Sequence, residues 1–188
     1  MGRAAECCKT LPGEYLSQAL GVAAARLLEL RIVKRISVAS PAAGIEWSKK
    51  VPGGVVWELI GVQSLLTTSA AVANRNTRIT IQDSDSNIVF AVSAGATVPA
   101  SQAQRIGWFV GAGVTVTTFG IFAPLPTPPI TLLSGDTLGS STLSLDAADQ
   151  WSGVFLTVRE WSETDVIQEA MMIDAQLTAL TEREVTGR

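Results

Sequence analysis

The sequence predicts a mainly β chain: a β-sandwich or jelly roll flanked by an N-terminal and a C-terminal α-helix. Three observations carry this. Residues 45–161 hold short runs of β-branched and aromatic residues separated by Gly, Pro, Asn and Asp turns. Both ends carry apolar residues at helical spacing instead. Charge is sparse, with 14 Lys or Arg and 17 Asp or Glu in 188 residues, or 16% against an average near 25%. The expected organisation is therefore a helical arm over 1–44, a β-sandwich domain over 45–161 and a C-terminal helix over 162–188. The length is that of one domain with appendages and suffices to bury a core.

The N-terminal helix is expected over 12–35. Leu16, Leu20, Ala23, Leu27 and Leu30 follow 4-3-4-3 spacing, which lines one face of a helix. Pro12 suits the entry, with Gly13 and Glu14 in the first turn. Arg31, Lys34 and Arg35 suit the negative pole at the end. Gly21 is a weak point, costing about 1 kcal/mol against Ala in a helix interior.

Candidate strands in the middle are 55–68, 78–82, 88–92, 104–110, 114–119, 130–133, 142–145 and 152–161. Turns are expected at Asp83 to Asn87, Gly111 to Gly113, Pro124 to Pro129 and Asp146 to Asp149. In the 78–82 run, Ile79 and Ile81 alternate with Thr80 and Gln82, which puts one face in the core and one in water. The 55–66 run is apolar on both faces, which places it centrally or under a partner. Strict alternation along 152–161 puts Trp151, Gly153, Phe155, Thr157 and Trp161 on one face and Val154, Leu156 and Val158 on the other. That strand is expected between two layers. Arg75, Arg78 and Arg159 are expected to pair with Asp83, Asp136 or Glu160 at the turns.

The C-terminal helix is expected over 162–185. Val166, Ala170, Ile173, Leu177 and Leu180 repeat the 4-3-4-3 spacing. Ser162 suits the N-cap, with Asp165 three residues on, and Glu163, Asp165 and Glu169 lie near the positive pole. Met171 and Met172 add adaptable bulk. Something must cover both stripes, because isolated helices of this length are marginal in water. Either each helix packs within its own chain, or the stripes pair between subunits. In the second reading these ten stripe residues form an oligomer and assembly interface. Residues 1–50 are net basic and 162–188 net acidic, so helix pairing gains electrostatic complementarity.

Composition excludes several functions. The chain has no histidine, which removes His-based acid–base chemistry, Ser-His-Asp and Cys-His sites and His-ligated metals. A net charge of −3 argues against nucleic-acid binding. Cys7 and Cys8 are adjacent and make neither a disulfide framework nor a zinc site, which fits a reducing cytosol. No run of about 18 apolar residues exists to span a membrane. Arg26 and Glu29 interrupt the only signal-like stretch, and Glu6 stands where a myristoylation motif needs Ser or Thr.

No constellation for catalysis emerges. Asp83-Ser84-Asp85-Ser86-Asn87 begins like a calcium loop, but Ile88 and Ala94 replace the Gly and Glu that such a loop requires. Asp146 and Asp149, with Glu160 beyond, read as turn carboxylates rather than a hydrolytic pair. Trp47, Trp57, Trp108, Trp151 and Trp161 read as core or interface residues. A sugar-binding groove is the alternative, and it needs Trp47 or Trp108 exposed. The chain is expected to be non-enzymatic, without cofactor or metal.

An ordered set of short motifs adds a family expectation. It comprises Leu66-Thr67-Thr68-Ser69-Ala70, Asn74-Arg75, Arg78-Ile79-Thr80-Ile81, Asp83, Leu133-Ser134-Gly135-Asp136-Thr137-Leu138, Asp149-Gln150-Trp151-Ser152 and Val158-Arg159-Glu160-Trp161. Spread over 52–161, the set resembles small structural proteins of tailed-bacteriophage virions. Such proteins usually place glycine in the first hairpin turn, where this chain has Asp85-Ser86-Asn87; Asn tolerates that conformation. The resemblance implies a β-sandwich or jelly-roll virion component, made in the host bacterial cytoplasm, with itself and the major capsid protein as partners. A capsid decoration or cement role is the first expectation. A neck or tail accessory protein and a carbohydrate-binding receptor module are the alternatives. The resemblance supplies no catalytic residues.

Overall fold

The computed structural model describes residues 32–118 and 120–165, then 167, 168, 171, 172, 174, 175 and 178. Residues 32–162 form one compact unit. Its strands are β1 (Ile32–Val38), β2 (Ser48–Lys50), β3 (Val55–Thr67), β4 (Arg75–Gln82), β5 (Ile88–Val98), β6 (Ala103–Val110), β7 (Thr115–Thr117), β8 (Gly120–Leu125), β9 (Ile130–Leu132), β10 (Thr137–Leu143) and β11 (Gln150–Ser162). Among the described residues they form two sheets. Sheet A runs β1-β11-β3-β6-β8-β7, with β9 also on β3, and sheet B runs β2-β10-β4-β5. All pairings are antiparallel except β6 with β8.

The apolar run that begins at Val55 is the central strand of sheet A. On one side β3 pairs β11, and on the other it pairs β9 through Trp57–Leu59 and then β6 through Gly61–Thr67. One face sends Trp57, Leu59, Val62 and Leu66 into the core, and on the other face the Phe109 ring lies over Gly61. The core between the sheets joins Trp57, Leu59, Val62, Leu66, Ile106, Trp108, Leu156 and Val158 of sheet A to Ile79, Ile81 and Leu138 of sheet B. Burial at about 25 cal/mol per Å² of apolar surface is the force that holds such a pair of sheets together.

Three parts of the sequence reading are corrected here. The N-terminal helix was expected to reach Arg35, but Ile32–Val38 is strand β1, laid antiparallel on β11 with Ile36 opposite Leu156. Its alternating Ile32, Lys34, Ile36 and Val38 satisfy a period of two as readily as a helical end. The sandwich therefore starts at Ile32 rather than at residue 45. Next, β11 does not alternate strictly: its register against β3 shifts between Ser152 and Phe155, where Gly153 has φ +55°. The bulge turns Trp151 inward with Val154, Leu156 and Val158, and leaves Phe155 and Thr157 on the other face. Thirdly, β8 takes in Pro124 and Leu125, the first two residues of the turn expected from Pro124 to Pro129. Its Pro124 sits past the β7 pairing, which ends at Phe122, so β6 is the strand recorded beside it and the missing N–H is tolerated.

The expected flanking helices fall largely outside the described residues. Leu16, Leu20, Ala23, Leu27, Leu30, Val166, Ala170, Ile173, Leu177 and Leu180 all lie outside the described residues. Beyond Ser162 the described residues are helical, and the Thr178 hydroxyl donates to the Asp174 carbonyl at 3.0 Å, one turn back.

Candidate protein interface

The polar residues that suggested chemistry are consumed by the fold. Asp83 Oδ1 accepts from the backbone N–H groups of Asp85 and Asn87 at 3.0 and 2.9 Å, and the Asn87 side-chain amide donates to Oδ2 at 3.0 Å. These bonds, that of the Asn87 side chain foremost, hold the Asp83 carboxyl below its usual range. The segment is a self-closed turn. Asp149 joins a buried cluster instead of facing Asp146 as a catalytic pair. Its carboxylate accepts from Arg75 and from the N–H groups of Ser69 and Asp146 at 2.7 and 2.8 Å.

The expected arginine partners are reassigned accordingly. Arg75 takes Asp149, and Arg159 takes Glu58 at 3.0 Å. Arg78 donates to the Ser141 hydroxyl at 3.0 Å. Asp136 closes its own turn by accepting from Leu133 N–H at 2.8 Å. Glu160 takes Lys34 and the Trp57 indole. Among the described residues, no group of three His, Cys, Asp or Glu side chains is placed to hold a metal.

Four of the five tryptophans are core residues. Trp47, Trp57, Trp108 and Trp151 are each at most 1% exposed. The sugar-groove reading needed Trp47 or Trp108 at the surface, and burial between the sheets removes both from it. Glu46 anchors this region from the side. Its carboxylate accepts from the Ser140 hydroxyl, from Thr142 N–H and, at 3.0 Å, from the Trp151 indole.

One flank of the sandwich is apolar and nearly free of charge. Between Asp85 and Asp136 the sequence holds a single charged residue, Arg105. This stretch builds β5 and β7, which end the two strand orders. They lie on the same flank, since a Cβ added at Gly95 of β5 would stand 3.1 Å from the Val114 side chain, just before β7. Ile88, Val89, Val114 and Val116 are exposed there by about three-fifths each. The strands at the other ends, β1 and β2, carry Lys34, Arg35, Lys49 and Lys50, the usual guard against edge pairing, so that the equally exposed Ile32 and Val33 of β1 stand beside charge. In β5 the guard is partial, with bulges around Val89 and Gly95 on either side of a regular ladder from Phe90 to Ser93. The flank was missed in the sequence because the period of β5 marks its inward face, not the vacancy beside it. The missing charge was the available signal.

No family model matches the chain, and no curated protein does. Solved structures do. The chain is similar to a protein of the T13 infectious bursal disease virus particle at 12% identity, covering 69% of this chain and 31% of that one, with a TM-score of 0.36. It is similar to the VP2 subviral particle of infectious bursal disease virus at 12% identity, covering 70% and 33%, with a TM-score of 0.31. The third similarity is to the CBM22-1-GH10 modules of Clostridium thermocellum xylanase 10B, crystallised with xylohexaose, at 10% identity, covering 71% and 24%, with a TM-score of 0.26. The chain thus spans about a third of the length of the viral proteins it matches.

Proposed function

We propose that the chain is a non-enzymatic structural component of a tailed-phage virion, a decoration or cement protein that docks on the major capsid protein and bridges neighbouring capsid subunits. The observation that carries this reading is the uncharged flank formed by β5 and β7. Exposed β-branched side chains on edge strands, without the lysines that guard the opposite edges, suit burial against another protein. The phage-like motifs of the sequence point the same way. Of these motif residues, Arg75 and Asp149 form a buried ion pair, and Trp151 and Glu160 make hydrogen bonds near the ends of β11.

The test is quantitative. Purified particles of the phage that encodes the chain are expected to carry hundreds of copies, and particles lacking it to release their genome at lower temperature. A few to a dozen copies confined to one vertex would replace this reading with a neck or tail accessory role.

A further inference from the structure

The outer face of sheet A holds an open pocket of about 150 Å³ lined by Arg35, Gln63, Leu65, Arg105, Gly153 and Phe155, together with Ser64. Four adjacent strands build it. Phe155 of β11 stands opposite Gln63 of β3, Leu65 of β3 stands opposite Arg105 of β6, and Arg35 reaches in from β1. The Arg35 guanidinium carbon lies 4.1 Å from the centre of the Phe155 ring. An arginine stacked on a ring keeps its donors in a fixed plane, available for a two-oxygen acceptor. The bulge at Gly153 opens the wall, and a Cβ added there would meet nothing within 4 Å.

Side-chain pairing elsewhere in the sandwich sets these two arginines apart from the other three. Lys34, Arg75 and Arg159 each have a carboxylate partner, and Arg78 donates to the Ser141 hydroxyl. Among the described residues, Arg35 and Arg105 have none, although both line one pocket and Arg105 is the single charge in fifty residues of sequence.

We infer that this pocket receives one carboxylate, the side chain of an Asp or Glu presented by the polypeptide on which the chain docks. The inference rests on the docking role proposed above. Two planar guanidinium groups and the Gln63 amide supply donors for two oxygens, while Phe155 and Leu65 supply an apolar wall for the stem. A cavity that holds about a benzene-sized group accommodates such a side chain.

The test uses isotope-labelled full-length protein, titrated with N-acetyl-glutamate methylamide, with its neutral glutamine counterpart and with inorganic phosphate, each at constant ionic strength. The acid is expected to shift the Arg35 and Arg105 side-chain N–H, Gln63 amide and Gly153 N–H resonances saturably. The neutral compound is expected to leave them in place, and R35Q and R105Q are each expected to weaken the response at least tenfold. Both side chains are at the surface, so the fold is retained, as unchanged backbone spectra will show. No saturable shift, an equal response to the neutral compound, tighter binding of phosphate, or an unaltered response in R105Q would each overturn the assignment. Particle counting separates the two readings. A chain absent from virions defeats the docking role while the titration stands. R105Q bound to virions as tightly as the parent defeats the pocket alone.

Discussion

Arg75 and Asp149 meet with neither side chain exposed, Nε to Oδ2 at 2.8 Å and the second guanidinium nitrogen to Oδ1 at 3.0 Å. Arg75 opens β4 of sheet B, and Asp149 immediately precedes β11 of sheet A. The same guanidinium donates to the carbonyls of Ala71 and Ala73 at 2.8 and 2.6 Å and to the Ser69 hydroxyl at 2.9 Å. One ion pair thereby ties the loop after β3 to the turn before β11. Removing one partner leaves a buried charge uncompensated. R75M and D149N are each expected to lose about 3–5 kcal/mol in urea denaturation. The double replacement R75M/D149N is expected to lose less than the sum, because no lone charge remains; a strictly additive double variant would count against the pair as one unit.

The same pair sets an acid limit. Burial alone would raise the Asp149 carboxyl, but the hydrogen bonds from Arg75 and from the Asp146 and Ser69 amides outweigh it and hold it below its usual value. Glu160 is likewise lowered, with burial outweighed by Lys34 and the Trp57 indole. A carboxyl lowered in the folded state binds its proton more readily when unfolded. Its contribution is therefore complete above the unfolded value, near pH 4, and is lost as pH falls through the lower folded values. Stability is expected to stay level with respect to these two groups from pH 7 to about pH 5 and to drop below about pH 4. D149N should flatten that drop in denaturation series run at each pH. An unchanged slope would remove Asp149 from the account.

The four deeply buried tryptophans divide by their indole nitrogens. Trp57 and Trp151 donate to Glu160 and Glu46 at 2.8 and 3.0 Å, whereas the buried indole nitrogens of Trp47 and Trp108 have no acceptor among the described residues. Replacement by Phe removes similar ring volume at each site, so the difference between sites reads the hydrogen bond. W151F is expected to cost about 1–3 kcal/mol more than W108F, the range for a bond to a charged acceptor. Equal losses measured by chemical denaturation would show that Glu46 contributes nothing through Trp151.

Much of the sandwich was legible in the sequence because a strand with one buried face declares itself by alternation. Ile79 and Ile81 against Thr80 and Gln82 did so for the inward face, where both isoleucines are buried, although Thr80 opposite them is buried too rather than wet. The long apolar run from Val55 declared its central place, with strands paired along both of its edges and its core-facing side chains buried. What failed has physical causes. A seven-residue strand such as β1 is too short to separate a period of two from a helix end when Arg31, Lys34 and Arg35 also suit a helix terminus. The bulge at Gly153 reverses the inward set of β11 with one glycine that looks ordinary in sequence. The Arg75–Asp149 pair spans 74 positions, and nothing local selects Asp149 over Asp83. The outer-face pocket arises only when β1, β11, β3 and β6 lie side by side.

Two glycines on β3 and β6 make room for an aromatic ring on the outer face. A Cβ at Gly61 would stand 2.6 Å from Phe109 Cδ1, and one at Gly107 would stand 2.5 Å from Cε2 of the same ring. Phe109 thus lies across both strands. G107A is expected to displace the ring and cost about 1–3 kcal/mol, the usual range for overpacking. The double variant G107A/F109A should lose less than the sum of its singles, because the clash disappears with the ring. A double-variant cycle measured by thermal or urea unfolding decides this, and simple additivity would show that the ring rests elsewhere.

The uncharged flank is open to a direct assembly test. Ala91 is exposed on the regular part of β5 between its two bulges, and Val116 is exposed on β7. Lysine at an edge strand guards it by making burial of the strand against another protein costly. A91K/V116K is therefore expected to keep its own stability within about 1 kcal/mol, as surface substitutions do, while binding to capsids lacking the protein falls at least tenfold. S48K on β2, an edge already carrying Lys49 and Lys50, serves as the control and should bind as the parent does. Co-sedimentation with capsids over a range of salt concentrations separates the two outcomes. If A91K/V116K binds as well as S48K, the docking face lies away from β5 and β7, and the lack of charge along that flank needs a different explanation.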